Sequence, residues 1–340
     1  MTTFFLLIAA VCFLAYSNGA NDNFKGVATL YGSKTLSYKG ALALATVSTF
    51  LGSVSALFIA EHLIDNFSGK GLVPDAFLEK PEFAIGVAAG AGITLFLATR
   101  FKMPISTTHG LVGALVGCGF IAIGTSLDFG RVAKSFLIPL LITPLVACLL
   151  TFSLYWMLSR IRKRRLSRNP SLELPEGERP PQRMKNYVDA LHWLSAGAVG
   201  FARGLNDSPK IVGLLLVFKA FHVQYTLLLV AIAMAIGGLI HSRKVGEMLS
   251  RKITTLNSAQ GVSANLITSI LVTTSSIHGF PVSTNDVSVG SIFGIGVITR
   301  TKDKDYTVIR QILLSWILTL PVAAVFGGCI YWLILFWTSY

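Results

Sequence analysis

The chain has 340 residues, 53% of them hydrophobic and 13% charged, and its formal net charge is +13. Several segments without Asp, Glu, Lys or Arg exceed the roughly 18 apolar residues that cross a bilayer core. They are residues 40–60, 135–159, 220–242, 253–285 and 311–340. This composition excludes an ordinary soluble domain and predicts an all-α polytopic membrane protein embedded in a lipid bilayer.

The first predicted span covers residues 3–20 and runs into the polar sequence GANDNFKGVATL, residues 19–30. A cleaved secretory signal is the alternative interpretation of such an N-terminal apolar run. No basic residue precedes the run, however, and its polar end recurs in the second half of the chain. We therefore predict that the segment is retained as a membrane span.

Two motifs occur twice in the same order, which indicates an internal duplication. GANDNFKGVATL (19–30) matches GLNDSPKIVGLL (204–215) at six of twelve positions. PISTTHGLVGALVG (104–117) matches PVSTNDVSVGSIFG (281–294) at six of fourteen positions. The predicted organisation is an N-terminal transmembrane repeat at 1–159, a basic cytoplasmic linker loop at 160–187 and a C-terminal transmembrane repeat at 188–340.

The distribution of basic residues predicts the orientation of the loops, because cytoplasmic loops carry an excess of Lys and Arg. With the N-terminus outside, the inside loops hold 21 of the 29 Lys and Arg residues, and the outside loops hold five. The inside loops are 34–39, 100–102, 160–189, 243–252 and 300–310. This bias explains the net charge without a nucleic acid, which we exclude as a partner.

The same bias places both termini outside the plasma or inner membrane of the cell and the central loop in the cytoplasm. Each half then has an odd number of crossings, about five, so the second half enters from the opposite side. Inverted-topology repeats of this kind, with broken or re-entrant helices at the midplane, form many secondary transporters. Full spans are the alternative to re-entrant hairpins at the second motif of each half.

Three bases and three acids remain at membrane depth, all in or beside the repeated motifs. They are Lys25, Arg203, Lys210, Asp22, Asp207 and Asp286. Charges at this depth cost at least ~2.5–3.5 kcal/mol each, so they normally face a cavity or a partner. We expect Lys25 and Lys210 to neutralise the neighbouring aspartates.

The pairs Asn21-Asp22 and Asn206-Asp207 are predicted to bind substrate. A broken helix at these motifs would free N–H groups at a half-helix start, which suits an oxyanion. Their carboxylate and amide oxygens also suit Na⁺, and the carboxylates suit a transferable proton. The alternative is polar packing between helices, with salt bridges from Asp to Lys.

The second motif predicts a helix start with clustered hydroxyl groups in each half. Such a start at membrane depth combines unpaired N–H donors with O–H donors, which suits a tetrahedral oxyanion. The predicted substrate contacts are Ser106, Thr107, Thr108, Ser283, Thr284 and Asn285. The alternative is a capped helix whose hydroxyls bond back to carbonyls. His109 is interpreted either as a proton carrier or as a hydrogen-bond partner of a neighbouring helix.

The sequences GANDN, PISTTHGLVG, GLNDSPK and PVST resemble the inorganic phosphate transporter (PiT) family of secondary carriers, and the resemblance covers nearly the whole chain. It implies import of inorganic phosphate coupled to Na⁺ or H⁺. It also implies that both Asn-Asp pairs and both P-x-S-T segments converge on substrate and cations, and that the protein forms a homodimer.

The chain departs from the family pattern at three places. Lys25 and Lys210 follow the Asn-Asp pairs where many relatives have a GANDVANA-type motif, and Asn285-Asp286 replaces a second Thr-His. Thr49 stands nearest to a membrane glutamate of some relatives. The predicted cation-coupling residues are Asp22, Asp207, Asp286 and Thr49, and the coupling ion, Na⁺ or H⁺, stays open.

The sequence therefore predicts a cation-coupled phosphate importer that works by alternating access. A carrier of another oxyanion such as sulfate, or a passive anion channel, is the alternative. Phosphate is favoured because it can donate a proton to a carboxylate, whereas sulfate cannot. No HExxH, GxSxG or P-loop motif is present, so we predict neither an enzyme nor catalytic residues.

Overall fold

The structure is a computed structural model that describes residues 2–69, 71–168, 182–215, 222–252, 256–299 and 306–338. Both halves are built of helices. In the first half these are α1 (Thr2–Asp22), α2 (Ala28–Gly32), α3 (Tyr38–Ile59), α4 (Glu61–Phe67), α5 (Asp75–Leu78), α6 (Pro81–Arg100), α7 (Thr107–Ile123), α8 (Phe129–Val132) and α9 (Ile138–Arg168). In the second half these are α10 (Gln182–Val212), α11 (Val223–His241), α12 (Arg243–Lys252), α13 (Ser258–Ile277), α14 (Thr284–Thr299) and α15 (Tyr306–Thr338).

The prediction of about five hydrophobic segments in each half is confirmed. Five long helices of the first half, namely α1, α3, α6, α7 and α9, correspond in order to α10, α11, α13, α14 and α15. Within the described residues, seven helical stretches are long and apolar enough to cross a membrane. The helices α10, α13 and α14 are not among them. The helix α10 carries three charges in and beside the repeated motif, α13 is rich in Ser and Thr, and α14 is apolar but shorter.

The helices on either side of the predicted linker extend into it. The helix α9 runs nine residues beyond position 159, to Arg168, and α10 begins at Gln182. Residues 169–181 of the predicted loop lie outside the described residues. The part of segment 160–187 that is described is therefore helical.

The two halves interlock rather than stand side by side. In the first half α1 packs against α6, and in the second half α10 packs against α13. Each of these first helices also packs against the other half, α1 against α11 and α10 against α3. The helices α7 and α14 likewise pack against α15 and α9 of the opposite half. Inverted repeats arranged around a shared axis produce this exchange.

Glycines let the exchanged helices approach closely, at equivalent positions of both halves. A Cβ atom built on Gly19 of α1 would lie 1.9 Å from Met234 O on α11. A Cβ atom on Gly204 of α10 would lie 2.0 Å from Thr49 O on α3. Small residues allow such backbone contact between membrane helices. The two crossings bring the polar ends of the motifs to the centre of the molecule.

Contacts between loops agree with the predicted sides of the membrane. The Arg243 guanidinium lies over the Tyr38 ring, 5.6 Å from its centroid, and Ser258 donates to Asp189 at 2.9 Å. Tyr38, Arg243 and Asp189 lie in the predicted inside loops, and Ser258 begins α13 six residues after the loop 243–252. Phe67 packs edge-on against Phe136 near the predicted outside. The orientation of the molecule in the cell remains a prediction.

Candidate functional site

The first Asn-Asp pair ends α1, whereas the second lies inside α10. Asp22 is the last residue of α1, and α10 continues through Pro209 to Val212 before a 3-10 turn at Gly213–Leu215. The predicted helix break is therefore present at the first motif, where a 3-10 turn begins at Lys25 and α2 at Ala28, and absent at the second, where α10 continues. Neither Asn-Asp pair itself begins a half-helix. A helix end presents free carbonyl groups rather than free N–H groups. Donors for an anion must come here from side chains.

The Asn21 amide anchors the turn between α6 and α7. Its Nδ2 donates to Thr99 Oγ1 and to Met103 O, both at 3.0 Å, and its Oδ1 accepts from Ile105 N at 3.1 Å. All three polar positions of the amide are therefore used inside the protein. The contacts hold the first hairpin, which comprises α6, the turn 101–106 and α7.

The Asn206 amide holds the second hairpin, which comprises α13, the turn 278–283 and α14. Its Nδ2 donates to Val282 O at 3.2 Å and to Asp207 Oδ1 at 2.9 Å, and its Oδ1 accepts from Ser276 Oγ at 3.2 Å. The two asparagines, predicted as substrate and Na⁺ ligands, thus have equivalent positioning contacts with their hairpins.

Both P-x-S-T segments begin a helix, as predicted. Ser106 Oγ accepts from His109 N at 3.2 Å, and Ser283 Oγ accepts from Asp286 N at 3.3 Å. These are N-cap contacts, which satisfy one free N–H of each helix start. The two serines, predicted as substrate contacts, are therefore capping residues of α7 and α14 in this structure.

The Asp22 carboxylate gathers donors from three directions. Lys25 Nζ donates to Oδ1 at 2.6 Å, and Thr107 Oγ1 donates to Oδ2 at 2.8 Å. Asn18 Nδ2 lies 3.4 Å from Oδ2 and donates to Thr107 Oγ1 at 2.8 Å. The predicted Asp-Lys ion pair is thus present, and Thr107 joins the first hairpin to α1.

Asp207 lies at the centre of the second cluster. It accepts from Asn18 Nδ2 at 3.0 Å and lies 3.7 Å from Arg203 Nε and 3.8 Å from Lys210 Nζ. Asn18 therefore bridges the aspartates of the two halves. Breaking a buried pair of this kind by removing one partner costs about 3–5 kcal/mol.

Lys210 and Thr108 connect the two hairpin turns. Thr108 Oγ1 donates to Val282 O at 2.9 Å, and Lys210 Nζ donates to the same carbonyl at 2.7 Å and to Thr108 Oγ1 at 2.8 Å. All three residues are buried. Thr108 is thus engaged in contacts between the halves, and Lys210 contacts a carbonyl as well as Asp207.

Arg203 is a central residue that the predicted site omitted. Its Nη2 donates to Asn18 Oδ1 at 2.6 Å, and its Nη1 donates to Asn23 Oδ1 at 3.2 Å and Thr49 Oγ1 at 3.3 Å. The signal in the sequence was its place four residues before Asp207, on the same helical face. Thr49, predicted to couple a cation, lies against this guanidinium, which disfavours a cation there.

A small cavity lies between the end of α1, the middle of α10 and the start of α14. Its lining residues are Asp22, Lys25, Gly26, Val199, Arg203, Thr284, Asn285 and Ser288. The Asn285 Nδ2 is buried without a hydrogen-bond partner among the described residues. Two cations, two hydroxyl groups, one free amide donor and one carboxylate therefore surround the same space. This composition suits a protonated oxyanion.

The last predicted acid, Asp286, lies beside the cavity lining and faces His109. The Nδ1 of His109 is 3.5 Å from Asp286 Oδ2, and the carboxylate is fully buried. Of the predicted site residues, the structure brings Asp22, Lys25, Thr284 and Asn285 to the cavity. The others hold the hairpins, the ion pairs or the contact between the halves.

Comparisons with known proteins identify the relatives of this chain. Residues 18–327 match the model of the phosphate transporter family. A protein of Bacillus subtilis named "probable low-affinity inorganic phosphate transporter" is 26% identical over 341 residues, 96% of each chain. A protein of the same name from Mycobacterium tuberculosis is 25% identical over 350 residues, 99% of this chain and 79% of the relative.

Among solved structures, one described as "The sodium-dependent phosphate transporter" shares the fold. Its TM-score is 0.86 at 22% identity, over 99% of this chain and 100% of the other. These comparisons confirm the predicted all-α fold, the resemblance to the inorganic phosphate transporter family and the prediction that the protein is not an enzyme. The family match over most of its length shows that the chain belongs to the phosphate transporter family of membrane transporters.

Proposed function

We propose that the protein is a secondary active transporter that imports inorganic phosphate by symport with Na⁺ or H⁺, through alternating access. The observation that carries the proposal is the cavity lined by Lys25, Arg203, Asn285 and Asp22. The cavity has a volume of about 10 Å³ here, room for one water molecule, and on widening its lining would offer a tetrahedral oxyanion two positive charges and an uncommitted amide donor. Such charge-assisted hydrogen bonds are the strong ones in anion recognition.

Arginine and lysine have different parts in this site. Both Nη atoms of the Arg203 guanidinium donate to Asn18, Asn23 and Thr49, as its planar fork allows. Its Nε has no hydrogen-bond partner among the described residues, so the guanidinium brings a fixed positive charge to the cavity. The Lys25 ammonium is a point charge already 2.6 Å from Asp22 Oδ1, so an arriving anion competes with that carboxylate. The hydroxyl groups of Thr284 and Ser288 complete the polar lining.

The carboxylate of Asp22 favours phosphate over sulfate. Phosphate near neutral pH keeps a proton that it can donate to Asp22, so the two acidic groups share a hydrogen bond. Sulfate has no proton, and two like charges would be buried together at a high cost. Selectivity then follows from the acid in the cavity as much as from the bases.

Alternating access is supported by the way in which the halves meet. The hairpins contact each other at Thr108 and Val282, and both residues are buried. A passive channel would need an open path past this point. Movement of one interlocked half against the other would open and close such a contact, as in other transporters with inverted repeats.

The coupling ion, the membrane and the oligomeric state are proposed on separate grounds. The structural neighbour is described as sodium-dependent, which supports Na⁺ as one candidate for the coupling ion. The charge bias of the loops supports a plasma or inner membrane with both termini outside. A homodimer is proposed from the family resemblance.

The test is uptake of radiolabelled phosphate into proteoliposomes that contain the purified full-length protein. Na⁺ and H⁺ gradients are imposed separately, with excess arsenate or sulfate as competitor. We expect one gradient to drive accumulation that arsenate blocks and sulfate does not. Phosphate flux without accumulation under either gradient, in protein shown to be folded, would indicate a channel. Block by sulfate would indicate a different oxyanion site.

A further inference from the structure

His109 and Asp286 occupy equivalent positions of the two repeats and face each other across the interface. They are 177 residues apart, as are Pro104 and Pro281. Each is the third residue of its helix, α7 or α14, and each donates its backbone N–H to the capping serine. Where the motifs of the two halves differ, an imidazole therefore meets a carboxylate, with His109 Nδ1 3.5 Å from Asp286 Oδ2.

The polar atoms that face each other in this pair are not satisfied by the surrounding structure. Both carboxylate oxygens of Asp286 and the Nδ1 of His109 are buried without a hydrogen bond to any described residue. An isolated buried carboxylate is costly and tends to take up a proton instead. The pair therefore has the composition of a site that binds one proton.

The charged groups that surround the pair are few and are engaged elsewhere. Lys25, Lys210 and Asp22 act on Asp286 through their charges, but Lys25 is 2.6 Å from Asp22, and Lys210 donates to Val282 O. The helix α10, which packs against both α7 and α14, also carries Arg203 and Asp207, and these two residues contact each other and Asn18. The remaining packed elements carry no Asp, Glu, Lys, Arg or His in their membrane parts. These are residues 83–99 of α6, 138–159 of α9, 258–277 of α13 and 314–338 of α15.

We propose that His109 and Asp286 together form a proton-binding site whose proton crosses the membrane with phosphate. The inference rests on the proposed function and names its coupling ion and the groups that carry it. The proton comes from external water, binds to the pair and is released to cytoplasmic water. We assign entry of the proton to His109, because its side chain is 7% exposed whereas that of Asp286 is fully buried.

The charges of the cluster explain why the two substrates would move together. Lys25, Arg203 and Lys210 balance Asp22, Asp207 and Asp286, so the cluster is neutral when His109 is neutral. One bound proton makes it positive, and one dihydrogen phosphate anion restores neutrality. Each ligand then strengthens binding of the other, as linkage requires.

A sodium ion fits the pair less well. Hard cations prefer several oxygen ligands, and an imidazole nitrogen is not among the groups that they favour. No group of three or more His, Cys, Asp or Glu suited to a metal occurs in the part of the chain that the structure describes. Asp286 brings the carboxylate, but its neighbour across the interface is a nitrogen base.

The experiment compares two assays on the full-length protein in proteoliposomes. Counterflow measures exchange of labelled for unlabelled phosphate without any imposed gradient. The second assay imposes an acid exterior at equal Na⁺ on both sides, and follows phosphate accumulation together with internal acidification. The variants are Asp286→Asn and His109→Gln. His192→Gln is the matched control, because this buried histidine contacts Thr29 and lies outside the cavity lining.

We expect the native protein and the His192→Gln variant to accumulate phosphate with internal acidification. The Asp286→Asn variant should keep counterflow but lose gradient-driven accumulation by at least about tenfold. Proton-driven accumulation that survives in both pair variants would overturn the inference, as would accumulation by the native protein under a Na⁺ gradient alone. Loss of counterflow in both variants, in folded protein, would also overturn it. The pair would then be required for phosphate exchange and not specifically for coupling transport to a proton. Absence of counterflow in the native protein would instead contradict the proposed function.

Discussion

Asn18 and Arg203 occupy equivalent positions of the two repeats, 185 residues apart, and hydrogen-bond directly to each other at 2.6 Å. The asparagine accepts from the guanidinium with its oxygen and donates to Asp207 with its nitrogen. One half thus supplies the charge and the other supplies a small bridging amide. The duplicated motifs have diverged where they meet, so that a single guanidinium lies between the two halves.

The Arg203→Lys variant should lose phosphate affinity although it keeps the charge. A lysine cannot hold Asn18, Asn23 and Thr49 together, as the planar fork of the guanidinium does. We expect KM for phosphate to rise at least about tenfold, since one charged hydrogen bond contributes about 1.5–3 kcal/mol. Arg243→Lys at an exposed pair with Glu247 is the control. Equal KM values for both variants would contradict a substrate role.

Either Asp22→Asn or Asp207→Asn should abolish phosphate uptake while the protein still inserts into the membrane. An asparagine cannot accept from all the donors that converge on each carboxylate, and it removes the negative charge that balances the neighbouring lysine. Uptake and membrane-extracted yield are measured together, with the exposed Asp75→Asn as control. Normal uptake by both variants would remove the proposed mechanism.

Lys25→Met should destabilise the protein, and adding Asp22→Asn should restore much of the loss. Removing the lysine leaves Asp22 buried without its 2.6 Å ion pair, which costs about 3–5 kcal/mol. The double variant leaves no unpaired charge, so its thermal unfolding midpoint in detergent should approach that of the native protein, without transport. A double variant no more stable than Lys25→Met would show that Lys25 does more than neutralise Asp22.

Gly204→Ala should lower stability, whereas Gly296→Ala should not. The added Cβ at Gly204 would lie 2.0 Å from Thr49 O, while no atom lies within 4 Å of a Cβ at Gly296. Overpacking costs about 1–3 kcal/mol, and alanine is otherwise the better helix residue. Thermal unfolding of both variants in detergent decides this. Equal midpoints would mean that α3 and α10 can separate at no cost.

The predicted orientation can be checked with single cysteines in a variant without the four native ones. An impermeant maleimide added to intact cells should label Asp75→Cys, which is exposed near the predicted outside. It should label Ser37→Cys, in the loop 34–39, only after the membrane is opened. The reverse pattern would invert the assignment of both termini.

The sequence by itself determined the membrane class, the duplication and the positions of the polar motifs. Hydropathy and motif spacing are properties of the sequence itself, so they can be read without knowledge of how the helices pack. Even the helix starts at Ser106 and Ser283 followed from hydroxyl and proline positions, because capping involves residues a few positions apart.

Only the tertiary structure decided which polar groups are free and which are engaged. The sequence predicted equal substrate roles for Asn21, Ser106 and Asn285, but Asn21 holds a hairpin and Ser106 caps a helix, while Asn285 faces the cavity. The contacts Asn18–Arg203 and His109–Asp286 join residues 185 and 177 positions apart. The periodicity of the sequence does not predict contacts between residues so far apart, because these contacts arise from the exchange of helices between two interlocked halves.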